Sequence, residues 1–249
     1  MRRLAEFRLA LMMLTRLPAG HIAAPPSIGA SAWAFPLVGG IVGALSALVL
    51  LVALWLGIAP VISAGLALVA MVLVTGGLHE DGLADLVDGF GGGQNVARKL
   101  EIMRDSQIGS YGTLVLILSL GLRWTALHVV LMHAGAWGAA TALIAIAVAS
   151  RSGLAAALTL MPAARGDGMG RAASGASLPQ AAIATALGVA ALLITFGPSG
   201  LILAALIAAA QIGLARLAIR QIGGQTGDVL GALQQIAEVT GWVALTALI

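Results

Sequence analysis

The 249-residue chain contains no cysteine, which excludes a disulfide frame and thiolate chemistry. It is also short of charge. Only 9% of its residues are Asp, Glu, Lys or Arg, where soluble domains carry about 25%. The 13 basic residues are scattered among connecting segments rather than gathered in a patch, so nucleic acid is not an expected partner. No internal repeat and no low-complexity linker divide the chain. No glycine-rich loop is followed by the lysine of a nucleotide hydrolase, and His79-Glu80 lacks a second histidine, because position 83 is Leu83.

What is abundant is apolar surface. Hydrophobic residues make up 60% of the chain and the mean hydropathy is +1.03. They come in unbroken runs, near 34–56, 60–78, 113–132, 137–161, 180–197, 199–219 and 229–249. About 20 apolar residues cover the hydrocarbon core of a bilayer. The expected fold is therefore an all-α polytopic membrane bundle of about seven transmembrane helices in a single domain, 1–249. The last run carries Gln234, Gln235 and Glu238 and is expected to span nonetheless. The first twenty residues are not a signal peptide, since Arg8 and Arg16 interrupt them and no small-residue cleavage site follows. Leu4, Phe7, Leu11 and Leu14 recur at helical spacing, which predicts an amphipathic helix in the membrane interface.

The connections alternate in charge. "GIAP", "HAGAW" and "GPSG" hold no Lys or Arg. The N-terminus and the loops 79–112, 162–179 and 220–228 hold nearly all of them, Arg165 and Arg171 included. By the positive-inside rule the basic set faces the cytoplasm, with the N-terminus inside. The loops rich in acidic and glycine residues then share the cytoplasmic face.

The scarce charges cluster. Glu80, Asp81, Asp85 and Asp88 put four of the ten carboxylates within nine residues, in "LHEDGLADLVDG" at the end of an apolar run. Asp81, Asp85 and Asp88 are spaced to share one helical face. Three carboxylates there repel one another unless a cation neutralises them. Oxygen-only donors suit Mg²⁺, which proteins hold with one or two carboxylates plus substrate phosphates. The alternative is a solvated acidic helix cap. "GFGGG" follows, and Gly91 and Gly92 are read either as a phosphate cradle or as a hinge. Arg98, Lys99 and Arg104 are candidate phosphate contacts. Arg98 with Glu101 also fits a plain surface ion pair. Asp105 sits beside Arg104. "GGQTGDVLGA" adds Thr226 and Asp228, where Asp228 either caps the last helix or reaches the metal. Arg123 and Arg151 lie inside apolar runs, where arginine is costly. Each either pairs with Glu238 or reaches a phosphate from below. His128 and His133 have no partners at metal-ligand spacing.

These motifs carry a resemblance. The chain resembles the cobalamin synthase family (adenosylcobinamide-GDP ribazoletransferase, cobalamin-5'-phosphate synthase). "GGLHEDGLADLVDGFGG" looks like that family's acidic signature, and "EIMRDSQIGSYG" is similar to the segment after it. "LTRLP", "FPLVGGIVG", "GMG" at 168–170 and "GGQTGDVLGA" match in order. The resemblance implies an integral membrane transferase with Mg²⁺ as cofactor. It implies transfer of the cobinamide phosphate of adenosylcobinamide-GDP to α-ribazole or its 5'-phosphate, with release of GMP. Asp81, Asp85 and Asp88 would then hold the metal. Arg104 would stabilise phosphate charge, and Asp105 or Asp228 would complete the metal site or act as base. A homo-oligomer or an association with other cobalamin-pathway enzymes is compatible with it. Two other readings remain open. A CDP-alcohol phosphotransferase would need Ala-Arg where Gly92-Gly93 stand, and a later Asp pair. A secondary transporter would place its charges near the bilayer midplane.

Overall fold

The computed structural model describes residues 2–166 and 176–249. Arg171 and the Gly168–Gly170 motif lie outside the described residues. Among the described residues the elements are helical: α1 (Arg2–Leu14), α2 (Ile28–Ser31), α3 (Phe35–Trp55), α4 (Pro60–Thr75), α5 (Leu78–Gly92), α6 (Val96–Ile102), α7 (Ser110–Leu160), α8 (Leu178–Phe196), α9 (Ser199–Ile222) and α10 (Gly227–Thr246). A 3₁₀ turn at Ala32–Ala34 joins α2 to α3. The all-α expectation holds, and the molecule is a polytopic membrane helix bundle.

Each of the seven apolar runs becomes a helix. By length and composition four segments are fit to cross a membrane: Ile28–Trp55, Ser110–Leu160, Leu178–Phe196 and Ser199–Ile222. The bent pair α4 and α5 makes a fifth if it counts as one span. The difference from seven has physical reasons. At about 1.5 Å per residue, the 51 residues of α7 would reach about 77 Å, more than twice the hydrocarbon core. Gly135, at φ 72° and ψ −179°, breaks it into two helices of ordinary length. α4 has only 16 residues, and α10 carries Asp228, Gln234, Gln235 and Glu238 among its apolar residues.

Gly76 and Gly77 end α4. Both have positive φ, 66° and 70°, which a side chain would oppose. The chain turns by 85° there and re-enters a helix as α5. The stretch 79–112, expected as a loop, is thus largely the two helices α5 and α6. Polar residues drive the break, because a straight continuation would carry Glu80, Asp81 and Asp85 along the axis of an apolar span.

The bundle closes on small residues. Gly39 and Gly43 of α3 lie against the second half of α7, where a Cβ at Gly43 would come within 2.7 Å of the Ile144 Cα. Ser46 donates to the Ala67 carbonyl at 2.6 Å and ties α3 to α4. Large apolar side chains point outward, with Trp55 83% and Ile194 86% exposed. That pattern suits lipid rather than water.

α1 packs against α2 and α3 through Ala10 and Leu14, while Leu4 stays exposed. Its buried face also holds Glu6, which accepts from the Trp33 indole at 2.8 Å and pairs with Arg2 and Arg3. The Leu4–Phe7–Leu11–Leu14 stripe is therefore only partly the packed face.

Candidate functional site

The basic connections meet at one end of the bundle. Arg16 donates its backbone N–H to the Val74 carbonyl at 2.8 Å. Lys99 of α6 donates to the Gln221 side chain at the end of α9. Ala164 N bonds Gln225 O at 3.0 Å and Gln225 N bonds Pro162 O at 2.8 Å, so the segment after α7 is stitched to the segment before α10. The Arg165 guanidinium then donates to the Leu100 carbonyl at 2.9 Å and lies 3.9 Å from the Asp228 carboxylate.

α5 and α10 cross closely on this side. A Cβ at Gly82 would lie 3.0 Å from the Asp228 carbonyl oxygen and 3.2 Å from the Gly231 Cα. That contact sets Asp81 and Asp85, which flank Gly82 on α5, beside Asp228. Thr226, not Asp228, caps α10: its hydroxyl accepts from Val229 N and donates to an Asp228 oxygen, both at 3.2 Å. Asp228 stands in the first turn of α10 with its carboxylate toward Arg165. α5 is a 15-residue helix outside the four spans, and Asp85 is half-buried on it. Burial pushes its carboxyl up to about 7, and the charges of Asp81, Asp228 and Asp88 push the same way, against Arg165. The sequence expects Asp81, Asp85 and Asp88 to act together on a cation; Asp85 feels the charge of Asp228 as well as theirs.

Asp88 has another task. Its two oxygens accept from Gly109 N at 2.7 Å and Gly112 N at 2.8 Å, at the N-terminus of α7. A Cβ on either glycine would collide with that carboxylate. Asp88 therefore satisfies amide groups that helix starts leave open.

Gly91 and Gly92 belong to the last turn of α5, and Gly93 closes it with a bond to Gly89 O. A helix C-terminus presents carbonyl oxygens and negative partial charge, which repel phosphate. The glycines are needed for close contact instead: a Cβ at Gly91 would meet the Tyr111 ring at 2.7 Å. Arg98 is exposed and pairs with Glu101 at 2.9 Å, the plain surface reading. Arg104 and Asp105 are exposed in the turn between α6 and α7, where Asp105 accepts from Gln107 N at 3.0 Å. Arg104 is near enough for its charge to act on Asp228.

Sequence reasoning did not single out Arg165 for the site. It stood among basic loop residues, and only the pairing of the two connections brings it to Asp228. Among the described residues, no group of three or more His, Asp or Glu side chains closes around a metal position by itself. Asp81, Asp85 and Asp228 still fit Mg²⁺. They are hard oxygen donors whose mutual repulsion a cation relieves, and they leave positions for substrate oxygens.

The family model described as cobalamin-5-phosphate synthase matches residues 6–246. A Bradyrhizobium diazoefficiens protein named adenosylcobinamide-GDP ribazoletransferase is 48% identical over 242 residues, 95% of this chain and 91% of its own length. Proteins of the same name from Mesorhizobium japonicum and Azorhizobium caulinodans are 44% identical (95% of this chain, 90% of theirs) and 45% identical (96% and 94%). No solved structure matches significantly.

Proposed function

The chain belongs to the cobalamin-5-phosphate synthase family, and from that premise we propose that it is an adenosylcobinamide-GDP ribazoletransferase of nucleotide-loop assembly. The acceptor is α-ribazole or its 5'-phosphate, the products are adenosylcobalamin or its 5'-phosphate, and GMP leaves. The observation that carries the reading is the convergence of Asp81, Asp85 and Asp228 beside Arg165, all at the end where the basic connections gather. A substrate diphosphate needs both signs there: carboxylates to hold a cation, and guanidinium groups for its free oxygens.

A ribose hydroxyl of the acceptor, away from the 5' position whose phosphate the 5'-phosphorylated product keeps, attacks the phosphorus that carries cobinamide. The bond from that phosphorus to the bridging oxygen breaks, and the electron pair leaves with GMP. Mg²⁺ held by Asp81, Asp85 and Asp228 would neutralise charge on the diphosphate. Arg104 and Arg165 bind and orient its outer oxygens. Thr226 keeps Asp228 in place through its hydroxyl. Asp105 takes the proton of that hydroxyl with either acceptor. The positive-inside pattern supports a cytoplasmic position for this end at the inner membrane, where the water-soluble substrates are.

The test is product identity. Purified protein in detergent, given adenosylcobinamide-GDP, Mg²⁺ and each acceptor in turn, should yield the two corrinoid products by mass. Turnover without a sealed membrane also rejects the transporter reading. Asp105→Asn should lose about tenfold or more with both acceptors. Wild-type turnover by Asp105→Asn with both acceptors would remove Asp105 as the base.

A further inference from the structure

Below the carboxylates lies a second charged group that the transfer chemistry leaves unused. Arg123, in the first half of α7, is 1% exposed, and Glu238 of α10 is 1% exposed. The Arg123 Nη1 donates to Glu80 Oε1 and to Gln235 Oε1, both at 2.9 Å. Its Nη2 donates to Glu238 Oε1 and to the Met71 sulfur, both at 3.2 Å. Gln235 also donates to Glu80 Oε1 at 3.0 Å, and Gln234 donates to Glu238 and, at 3.2 Å, to Ser150. One guanidinium thus joins α4, α5, α7 and α10.

The members of this group stand in line with the site. Glu80 is the residue before Asp81. Glu238 is ten residues after Asp228 on the same helix, about 15 Å further along it. Arg123 is thirteen residues into the helix whose start is held by Asp88. Charge inside a membrane bundle is costly unless paired, and breaking one partner of such a group leaves a buried charge uncompensated. An apolar contact at this depth would tolerate sliding between helices. A planar fork bonded to two carboxylates fixes their separation and orientation.

We infer that Glu80, Arg123 and Glu238 are positioning residues: the buried triad sets the spacing between the Asp81–Asp85 face of α5 and Asp228 of α10, and so sets the cation affinity of the site. This rests on the metal reading proposed above.

Mn²⁺, followed by its EPR signal with GMP present, is the probe, and Mg²⁺ half-saturation of GMP release is the second readout. Three variants separate positioning from folding. Glu238→Gln keeps the shape and removes one charge. Arg123→Lys keeps the charge but cannot bridge both carboxylates. The double variant has the same net charge as Glu238→Gln and leaves the single ammonium to Glu80 alone, so no acid of the triad stays unpaired while α10 is unclamped. The double variant should melt as a folded protein, bind Mn²⁺ about three- to tenfold more weakly than wild type, and need correspondingly more Mg²⁺. Its KM for the acceptor should be unchanged. Wild-type Mn²⁺ affinity and Mg²⁺ demand in a folded double variant would overturn the inference. Loss of fold in all three variants would also overturn it, by making the triad a stability element. A wild-type protein that binds no Mn²⁺ would instead overturn the metal reading, and this inference with it.

Discussion

Asp85 sits where burial and three neighbouring carboxylates raise its carboxyl to about 7, against the pull of Arg165. An acid whose folded value lies above its unfolded value binds more protons when folded. Its contribution therefore falls as pH rises between about 4 and about 7, and the ionised form is a burden on the metal-free fold above that window. Two outcomes follow at this residue. Mg²⁺ demand should fall as pH rises from about 6 to about 8, because proton and cation compete for the same oxygens. Asp85→Asn should raise the melting temperature of metal-free protein at pH 8 while abolishing turnover; a lower melting temperature there would contradict the repulsion argument. Asp88 behaves in the opposite way. Asp88→Asn replaces one accepting oxygen with a donor that faces a backbone N–H, and should cost about 1–3 kcal/mol, read as a lower melting temperature at every pH near neutrality. The sequence showed that Asp81, Asp85 and Asp88 share a face. It did not show partners, so neither Asp88's bonds to Gly109 and Gly112 nor the approach of Asp228 to Asp85 was legible.

Among the elements, α5 and α10 decide the site, and their contact depends on Gly82 and Gly231. Gly82→Ala would place a Cβ 3.0 Å from the Asp228 carbonyl oxygen and force the helices apart by a few tenths of an ångström. The account predicts a folded variant whose Mg²⁺ half-saturation rises severalfold. Unchanged Mg²⁺ dependence would mean that the crossing does not set the carboxylate spacing. The seven apolar runs were readable because burial in lipid demands length and hydrophobicity, which are local properties. The turn at Gly76–Gly77 was not, since it depends on two left-handed residues that the run through Leu78 conceals. The same holds for "GFGGG": glycine permits many conformations, and the contact of Gly91 with Tyr111 selects the helical one.

For the whole molecule, polarity is turned inside out. Arg123, Glu80 and Glu238 are buried together, while Trp55 and Ile194 face outward. That arrangement is stable in a bilayer. It explains why Arg123 and Glu238, isolated in the sequence within apolar runs, come to rest on one another. The absence of cysteine makes the proposed orientation directly testable. Single cysteines at Arg104 or Gln221 should react with an impermeant thiol reagent only from the cytoplasmic side, and cysteines at Ile58 or Gly197 only from the outside. Reversed labelling would contradict the positive-inside assignment, though not the chemistry. The central claim is that the carboxylates of α5 and α10 hold the cation on a diphosphate whose cleavage releases GMP. Its most direct test is GMP release from adenosylcobinamide-GDP by the detergent-purified wild-type protein beside Asp85→Asn, with and without acceptor and Mg²⁺. The account predicts GMP only when protein, acceptor and Mg²⁺ are all present, and a loss of at least about a hundredfold in the variant. Turnover by a folded Asp85→Asn protein at the wild-type rate and Mg²⁺ demand would contradict it.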